Sequence, residues 1–314
     1  MRHLERAIEL AERGRGTTRP NPVVGAVVVA GDEVVGEGWH ERKGGPHAEV
    51  VALAAAGERA RGATLYVSME PCAHHGTTPP CTDAILAAGV ERVVFGARDP
   101  NPEAAGGEEY LRAAGVDVEF VDWFEARALN EAWRTWVTKQ RPFVIYKVAI
   151  TLDGRVALPD RRWISGEDSL RLVHELRAEV DAVAVGGGTA RADRPRLDAR
   201  DVETPRGQPR RLVFSRGPLP AGVDLELRTG PLEDELRELA AEGVQSLLLE
   251  GGPTLAAAFF EADLVDKVLL FVAPVLGGAG PTFAPALPSP RALTRLASRQ
   301  VGEDVLLEAY VHEP

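Results

Sequence analysis

The 314-residue chain has only two cysteines, Cys72 and Cys81. That excludes a disulfide framework as the organiser of the fold. It also lacks long apolar runs: stretches such as VLLFVAPVL (268–276) fall far short of the ~20 residues a membrane-spanning helix needs. Positive charge is outweighed, with 36 Lys and Arg against 47 Asp and Glu and a net charge of -11. This is the wrong sign for a protein that grips long nucleic acids. Residues 1–16 are charged and amphipathic, without the apolar core of a secretory leader. There is no internal repeat and no low-complexity segment. A soluble cytoplasmic enzyme is the expectation, and the length suits two domains.

Strand and helix patterns alternate along the chain. Residues 3–13 pattern as an amphipathic helix, and VVGAVVVAGDEVVGEGW (23–39) as a hairpin. Helices are then expected over 47–60, 81–89, 106–115 and 123–140, with strands over 63–69, 92–97 and 116–121. Pro142 marks a boundary, giving domains 1–142 and 143–314. The second half predicts helices at 167–179, 232–243 and 253–262. Its strands are expected at 141–150, 181–186, 211–215, 244–252, 267–276 and 304–311. The fold class is therefore α/β in both halves.

Both cysteines sit in one stiff polar loop, EPCAHHGTTPPC (70–81). By itself such a pair reads as buried free thiols or a disulfide, the latter disfavoured in a reducing cytoplasm and by the stiffness of Pro79 and Pro80. PHAEV (46–50) changes the balance, because it brings an imidazole and a carboxylate two residues apart at a helix start. Two helical steps turn a side chain by about 200°, so His47 and Glu49 would not make adjacent ligands to one ion. They suit divided labour, His47 as a ligand and Glu49 as a proton carrier. One imidazole and two thiolates form a set suited to Zn²⁺ that leaves a fourth position open for water, whose pKa zinc lowers towards ~7. Cys81 opens a helix, whose positive end favours a thiolate.

H-A-E followed by P-C and a later cysteine is the pattern of zinc nucleobase deaminases, here with the second cysteine nine positions on rather than three. Together NPVVGAVVV, PHAEV, EPCAHHGTTPPC and DPNP (99–102) resemble the deaminase half of the bacterial bifunctional riboflavin-biosynthesis enzymes of the RibD type. YKVAITLDG, WISG and LLLEGGPTL resemble the reductase half. The likeness implies a cytidine-deaminase-like αβα domain and a dihydrofolate-reductase-like domain. In the first, His47, Cys72 and Cys81 would bind zinc, Glu49 would shuttle protons, and Asn21, Asp99 and Asn101 would line the pyrimidine pocket. His74, with its neighbour His75, would face the phosphate or solvent. Thr77 stands where the family carries a basic residue.

The second half has no G-x-G-x-x-G, and Gly186-Gly187-Gly188-Thr189 has the wrong spacing for one. Two glycine-rich strand ends, at 186–188 and 251–252, still offer bare backbone N–H groups to phosphate. Nine arginines between Arg155 and Arg200 add to that case, among them Arg161, Arg177, Arg191 and Arg194. The resemblance implies NADPH held by Ala149, Trp163, Thr189, Asp193, Ser215 and the loop of Gly252, Pro253 and Thr254. It further implies substrate held by Arg161, Arg177, Leu197, Arg200 and Glu250, the arginines meeting its phosphate. Lys147 is the candidate for ring polarisation or proton delivery, or else a stem crossing apolar surface.

The expected partners are a small phosphorylated pyrimidine and further copies of the chain, as dimer or tetramer, with neither nucleic acid nor membrane. Two alternatives stay open at this level. One is a deaminase of tRNA or single-stranded nucleic acid with a binding domain. The other is a structural zinc module, in which His74 or His75 would close the coordination.

Overall fold

The computed structural model describes residues 1–74, 79–283 and 290–314. The chain divides into two compact units, Met1–Thr138 (with Pro314) and Lys139–Glu313. His75 and Thr77 lie outside the described residues.

The first unit is built on a five-stranded sheet in the order β2-β1-β3-β4-β5. Its strands are β1 (Gly25–Ala30), β2 (Glu33–Trp39), β3 (Thr64–Val67), β4 (Arg92–Phe95) and β5 (Asp117–Phe120). The β1–β2 hairpin and the β1–β3 pair are antiparallel, whereas β3, β4 and β5 run parallel. Helices are α1 (Arg2–Glu12), α2 (Ala48–Ala56), α3 (Cys81–Ala88), α4 (Gly107–Ala113), α5 (Phe124–Ala128) and α6 (Glu131–Lys139). Val28, Leu65, Val67, Ile85, Phe95 and Leu111 form the core that fixes them to the sheet.

Two close approaches set the site. A Cβ on Gly38 would stand 2.5 Å from the Ala52 backbone nitrogen, so glycine lets α2 lie directly on β2. A Cβ on Gly107 would stand 1.8 Å from the Pro71 carbonyl oxygen, which admits the start of α4 against the cysteine loop. The helix expected over 123–140 is interrupted instead. Asn130, between α5 and α6, turns its buried amide onto both backbone groups of Val23, at 2.9 and 2.8 Å. That side-chain bridge supplies what a continuing strand would have bonded.

The second unit holds an eight-stranded sheet, β12-β13-β11-β6-β10-β7-β8-β9. In chain order these are β6 (Phe143–Thr151), β7 (Ala182–Gly186), β8 (Arg210–Phe214), β9 (Glu226–Arg228), β10 (Ser246–Leu249), β11 (Lys267–Ala273), β12 (Thr294–Val301) and β13 (Asp304–Tyr310). Six of them run parallel and β13 is antiparallel to both of its neighbours. The helices are α7 (Glu167–Glu179), α8 (Gly187–Asp193), α9 (Leu232–Ala241) and α10 (Pro253–Glu261). The expected α/β class is the observed one in both units. Three elements have no counterpart in the sequence patterns. Helix α8 is made of GGTARAD, β9 has only three residues, and β12 is exposed along nearly its whole length. Glycine, brevity and the missing inner face each erase the periodic signal.

Candidate functional site

The first site forms past the C-terminal ends of two strands of the N-terminal sheet, where β2 leads into α2 and β3 into α3. His47 is not inside the helix as the sequence pattern expected: it is the N-cap of α2, with extended backbone (φ −73°, ψ 161°). Glu49 lies in the first turn and is 3% exposed. Cys81 opens α3, and its N–H points at the Cys72 sulfur at 3.4 Å.

His47 Nδ1 stands 3.1 Å from Cys81 Sγ and 3.6 Å from Cys72 Sγ. One ligand atom from each of the three residues fits within a 4.8 Å span. A half-buried imidazole and two buried sulfurs converging so closely fit a tetrahedral zinc ion with one position left over. Among the described residues no fourth side chain joins this group: His74 lines the neighbouring cavity instead.

The sulfurs divide the charge between them. Cys72 is pulled well below the usual thiol range by the hydrogen bond it accepts from Cys81 and by His47, and Cys81 is correspondingly pushed up. Hydrogen bonding to Cys72 raises His47. Glu49 is pushed up to about 7, first by burial and then by the negative Cys72.

A cavity of about 290 Å³ opens in front of this cluster. Asn21, His47, Glu49, Cys72, His74, Asp99 and Asn101, all singled out from the sequence, line it together. Asp99 is pushed up to about 6, mainly by burial, while the Asn101 N–H bonded to it at 2.8 Å pulls the other way.

Sequence reasoning missed four contributors. His40 Nδ1 meets the Pro46 carbonyl at 3.0 Å, which leaves Nε2 to accept from Asn21 Nδ2 at 3.4 Å and turns the Asn21 Oδ1 the other way. Glu70 accepts the N–H groups of Asp99, Gly106 and Glu108 at 3.3, 3.2 and 3.2 Å, pinning the loop that carries Asp99. Trp133 and Trp136 of α6 form an aromatic wall. Glu70 at least stands inside the EPC motif; the two tryptophans carry no local signal, because α6 lies more than 50 residues beyond the metal loop, and His40 falls outside the PHAEV motif.

The second site lies along the C-terminal ends of parallel strands in the second unit. Glu250, just past β10, is nearly buried and accepts Arg177 Nε and Nη2 at 2.6 and 2.9 Å. Lys147 Nζ on β6 lies 3.5 Å from the same carboxylate. Burial opposes ionisation of Glu250, but the charges of Lys147 and Arg177 outweigh it and hold the carboxyl below its ordinary range.

The sequence assigned Arg177 wholly to a substrate phosphate. In the structure its Nε–Nη2 edge is taken by Glu250, and Nη1 also reaches the Asp198 carbonyl at 3.1 Å. Arg200 bonds the Asp198 carboxylate and lies 3.4 Å from His174 Nε2. Leu197, buried, holds a left-handed backbone (φ 57°), which costs a non-glycine residue ~1 kcal/mol or more.

The two glycine loops adjoin: a Cβ on Gly252 would lie 3.5 Å from Thr189 Oγ1, and one on Gly186 would lie 3.3 Å from Leu255. Gly252 caps α10, Pro253 is at its start, and Thr254 follows in the first turn. This bare backbone fits a dinucleotide phosphate. Ala149 is on β6 two residues beyond Lys147, Asp193 ends α8, and Ser215 follows β8. Arg161 and the 57%-exposed Trp163 are on the connection between β6 and α7, where Arg161 bridges to Leu158 and Trp163 is covered by Arg162.

Among the described residues, no helix is long and apolar enough to cross a membrane. Residues 1–97 match the cytidine and deoxycytidylate deaminase zinc-binding region, and residues 142–307 match the RibD C-terminal domain. The riboflavin biosynthesis protein RibD of Aquifex aeolicus (strain VF5) is 40% identical over 313 residues, spanning 88% of each chain. A RibD structure from Acinetobacter baumannii (form 1) aligns with a TM-score of 0.85 at 35% identity, covering 98% of both chains. A Thermotoga maritima structure described as a diaminohydroxyphosphoribosylaminopyrimidine deaminase/5-amino-6-(5-phosphoribosylamino)uracil reductase aligns at 0.82. It is 35% identical and covers 98% of this chain and 97% of that one.

Proposed function

Because the chain belongs to the RibD family of bifunctional riboflavin-biosynthesis enzymes, we propose that its two halves carry out consecutive reactions on one phosphorylated pyrimidine. The deaminase occupies residues 1–142 and acts on 2,5-diamino-6-(ribosylamino)-4(3H)-pyrimidinone 5′-phosphate. The reductase occupies residues 143–314 and reduces the ribose of 5-amino-6-(5-phosphoribosylamino)uracil with NADPH. The observation that carries this is the convergence of His47, Cys72 and Cys81 within 4.8 Å, beside a buried Glu49, in a cavity whose other polar groups suit a pyrimidine.

Zinc, which His47, Cys72 and Cys81 would hold, would supply a Lewis acid that makes water nucleophilic near neutral pH. Glu49 takes up the proton released when water adds to the ring carbon bearing the amino group. Burial and the neighbouring Cys72 raise its carboxyl in the metal-free site, which favours taking up a proton. It passes the proton to the departing nitrogen, so that ammonia leaves and a carbonyl remains. Asn21, Asp99 and Asn101 orient the ring through their amide and carboxyl edges, with His40 fixing Asn21 and Glu70 fixing Asp99. His74 stands where a substrate phosphate would approach.

In the reductase half, Thr189, Asp193, Ser215 and the Gly252–Thr254 turn would hold the cofactor, with Ala149 and Trp163 flanking it. Arg161, Arg200 and the remaining N–H groups of the Arg177 Nη atoms meet the substrate phosphate, beside Leu197. Lys147, held by Glu250, delivers a proton to the opening sugar as hydride reaches C1′. The protein's part is orientation. A small-molecule substrate, a cytoplasmic setting and a homo-oligomer complete the proposal.

The test couples ammonia release to NADPH oxidation. Arg177→Ala should impair NADPH oxidation and spare ammonia release. Loss of ammonia release alone in that variant overturns the division of labour. Chelation of the purified protein's zinc should silence ammonia release, and an unchanged rate in verified metal-free protein overturns the zinc assignment.

A further inference from the structure

The arginine-rich stretch noted in the sequence is only partly used by the site described above. Most arginines of the second unit are neutralised by carboxylates. On β8, Arg210 pairs with Glu226 and Glu242, and Arg211 pairs with Asp224. On β9, Arg228 meets Glu226 and Glu235. The opposite, C-terminal end of β8 differs. There Arg216 follows Ser215, and Arg191 comes across from α8; both are exposed, and neither has a carboxylate partner among the described residues.

Arg191 and Ser215 converge on one point. A Cβ on Gly187 would fall 2.3 Å from Ser215 Oγ and 3.1 Å from Arg191 Nη1. The hydroxyl of Ser215 is itself tied to Gly217, accepting its N–H at 3.3 Å and donating to its carbonyl at 3.0 Å, which holds the turn that carries Arg216. Asp193, two residues beyond Arg191 on α8, points about 200° away around the helix and does not neutralise it. Arg191, whose Nη1 stands with Ser215 Oγ beside Gly187, and Arg216, which follows Ser215 in the chain, put two arginines without carboxylate partners at one strand end in a chain of net charge -11.

The sheet order says which anion. Along β6-β10-β7-β8 lie Lys147, then Glu250, then the glycines at 186–188, then Ser215. Neighbouring strands are ~4.8 Å apart, so this row spans roughly 14 Å. A dinucleotide with its reacting ring near Lys147 and its pyrophosphate on the glycine loops therefore brings its far ribose to the end of β8. We propose that Arg191 and Arg216, flanking Ser215, hold the 2′-phosphate of that ribose and make the protein prefer NADPH to NADH. This rests on the reductase reading given above. Two guanidinium groups can grip a phosphate through paired N–H donors, and they find nothing equivalent on the bare hydroxyl of NADH.

The experiment is calorimetric titration of the full-length protein with NADP⁺, NAD⁺ and 2′,5′-ADP, without turnover. Arg191→Ala and Arg216→Ala should each weaken NADP⁺ and 2′,5′-ADP about tenfold or more, the loss expected of charge-assisted hydrogen bonds. NAD⁺ should stay within about twofold of its wild-type affinity. Arg299→Ala, an exposed arginine on β12 at the far edge of the sheet, should change none of the three, which controls for bulk charge. Parallel weakening of NADP⁺ and NAD⁺, or unchanged NADP⁺ affinity in both arginine variants, would overturn the assignment. An effect in only one variant overturns the pair in favour of that residue alone. Wild-type protein that binds neither dinucleotide would instead remove the reductase reading, and this assignment with it.

Discussion

Glu49, which is buried, and Glu250, which is nearly so, lie one in each half of the molecule, and their surroundings drive them in opposite directions. Glu49 has a thiolate nearby and no arginine or lysine, so burial wins and its carboxyl rises to about 7. Glu250 is clasped by Arg177 and approached by Lys147, and it is held below its ordinary range. Burial alone therefore says little about what a carboxylate does; the charge beside it decides. The first can exchange a proton at neutral pH. The second is a fixed anion that positions two cations.

Removing each carboxylate's charge sharpens that contrast. The largest effect is expected for Glu49→Gln: ammonia release should fall by ~10²–10⁴, as for loss of a general acid–base group, while zinc content measured by mass spectrometry stays the same. Normal deamination by this variant would sink the proton-shuttle role. Its folding stability should not drop, since no cation is orphaned.

Glu250→Gln should do the reverse to stability, because it leaves Arg177 and Lys147 buried without their anion. A loss of ~3–5 kcal/mol, read from denaturant unfolding of the C-terminal half, is expected. A neutral result would mean that the pair is solvated in solution.

Asp99 extends the comparison to pH. Its carboxyl is raised from 3.8 to about 6, so the folded protein holds a proton there that the unfolded chain has released. Its contribution to stability is thus present at low pH and lost as pH rises from about 3.8 to about 6. Asp99→Asn should gain on wild type across that window by on the order of 2–3 kcal/mol, measured as unfolding free energy at several pH values. A difference that stays flat with pH would contradict the burial argument.

The smallest effect belongs to an exposed carboxylate. Glu37 is paired with Arg6 at 2.8 Å, but both side chains are about one-third exposed. Arg6→Ala should cost ~1 kcal/mol or less in thermal or denaturant unfolding. A loss as large as that of Glu250→Gln would show that exposure is not what separates the two cases.

The zinc-site residues were legible because metal chemistry demands particular side chains. His47 and Glu49 lie two apart, Cys72 and Cys81 nine apart, and no glycine or alanine could replace them. The reductase site was legible only in outline. Its cradle is largely backbone N–H at glycine loops, which any tight turn can imitate, and its charged groups come from β6, α7 and β10, far apart in the chain. The one local prediction that failed at the metal site, His47 within a helical turn, failed because a single residue of extended backbone at an N-cap is invisible to periodicity.

The sequence by itself determined the α/β class, the order of most elements, the metal-ligand set and its neighbouring acid. These depend on residue type, short spacing and local periodicity. Only the tertiary structure decided that Arg177 spends one edge on Glu250, that His40 and Glu70 orient the pocket, that α6 supplies its tryptophan wall, and that Arg191 and Ser215 both come up beside Gly187. Those contacts join segments far apart in the chain, and their energies depend on burial and on neighbouring charge, which a linear sequence does not contain.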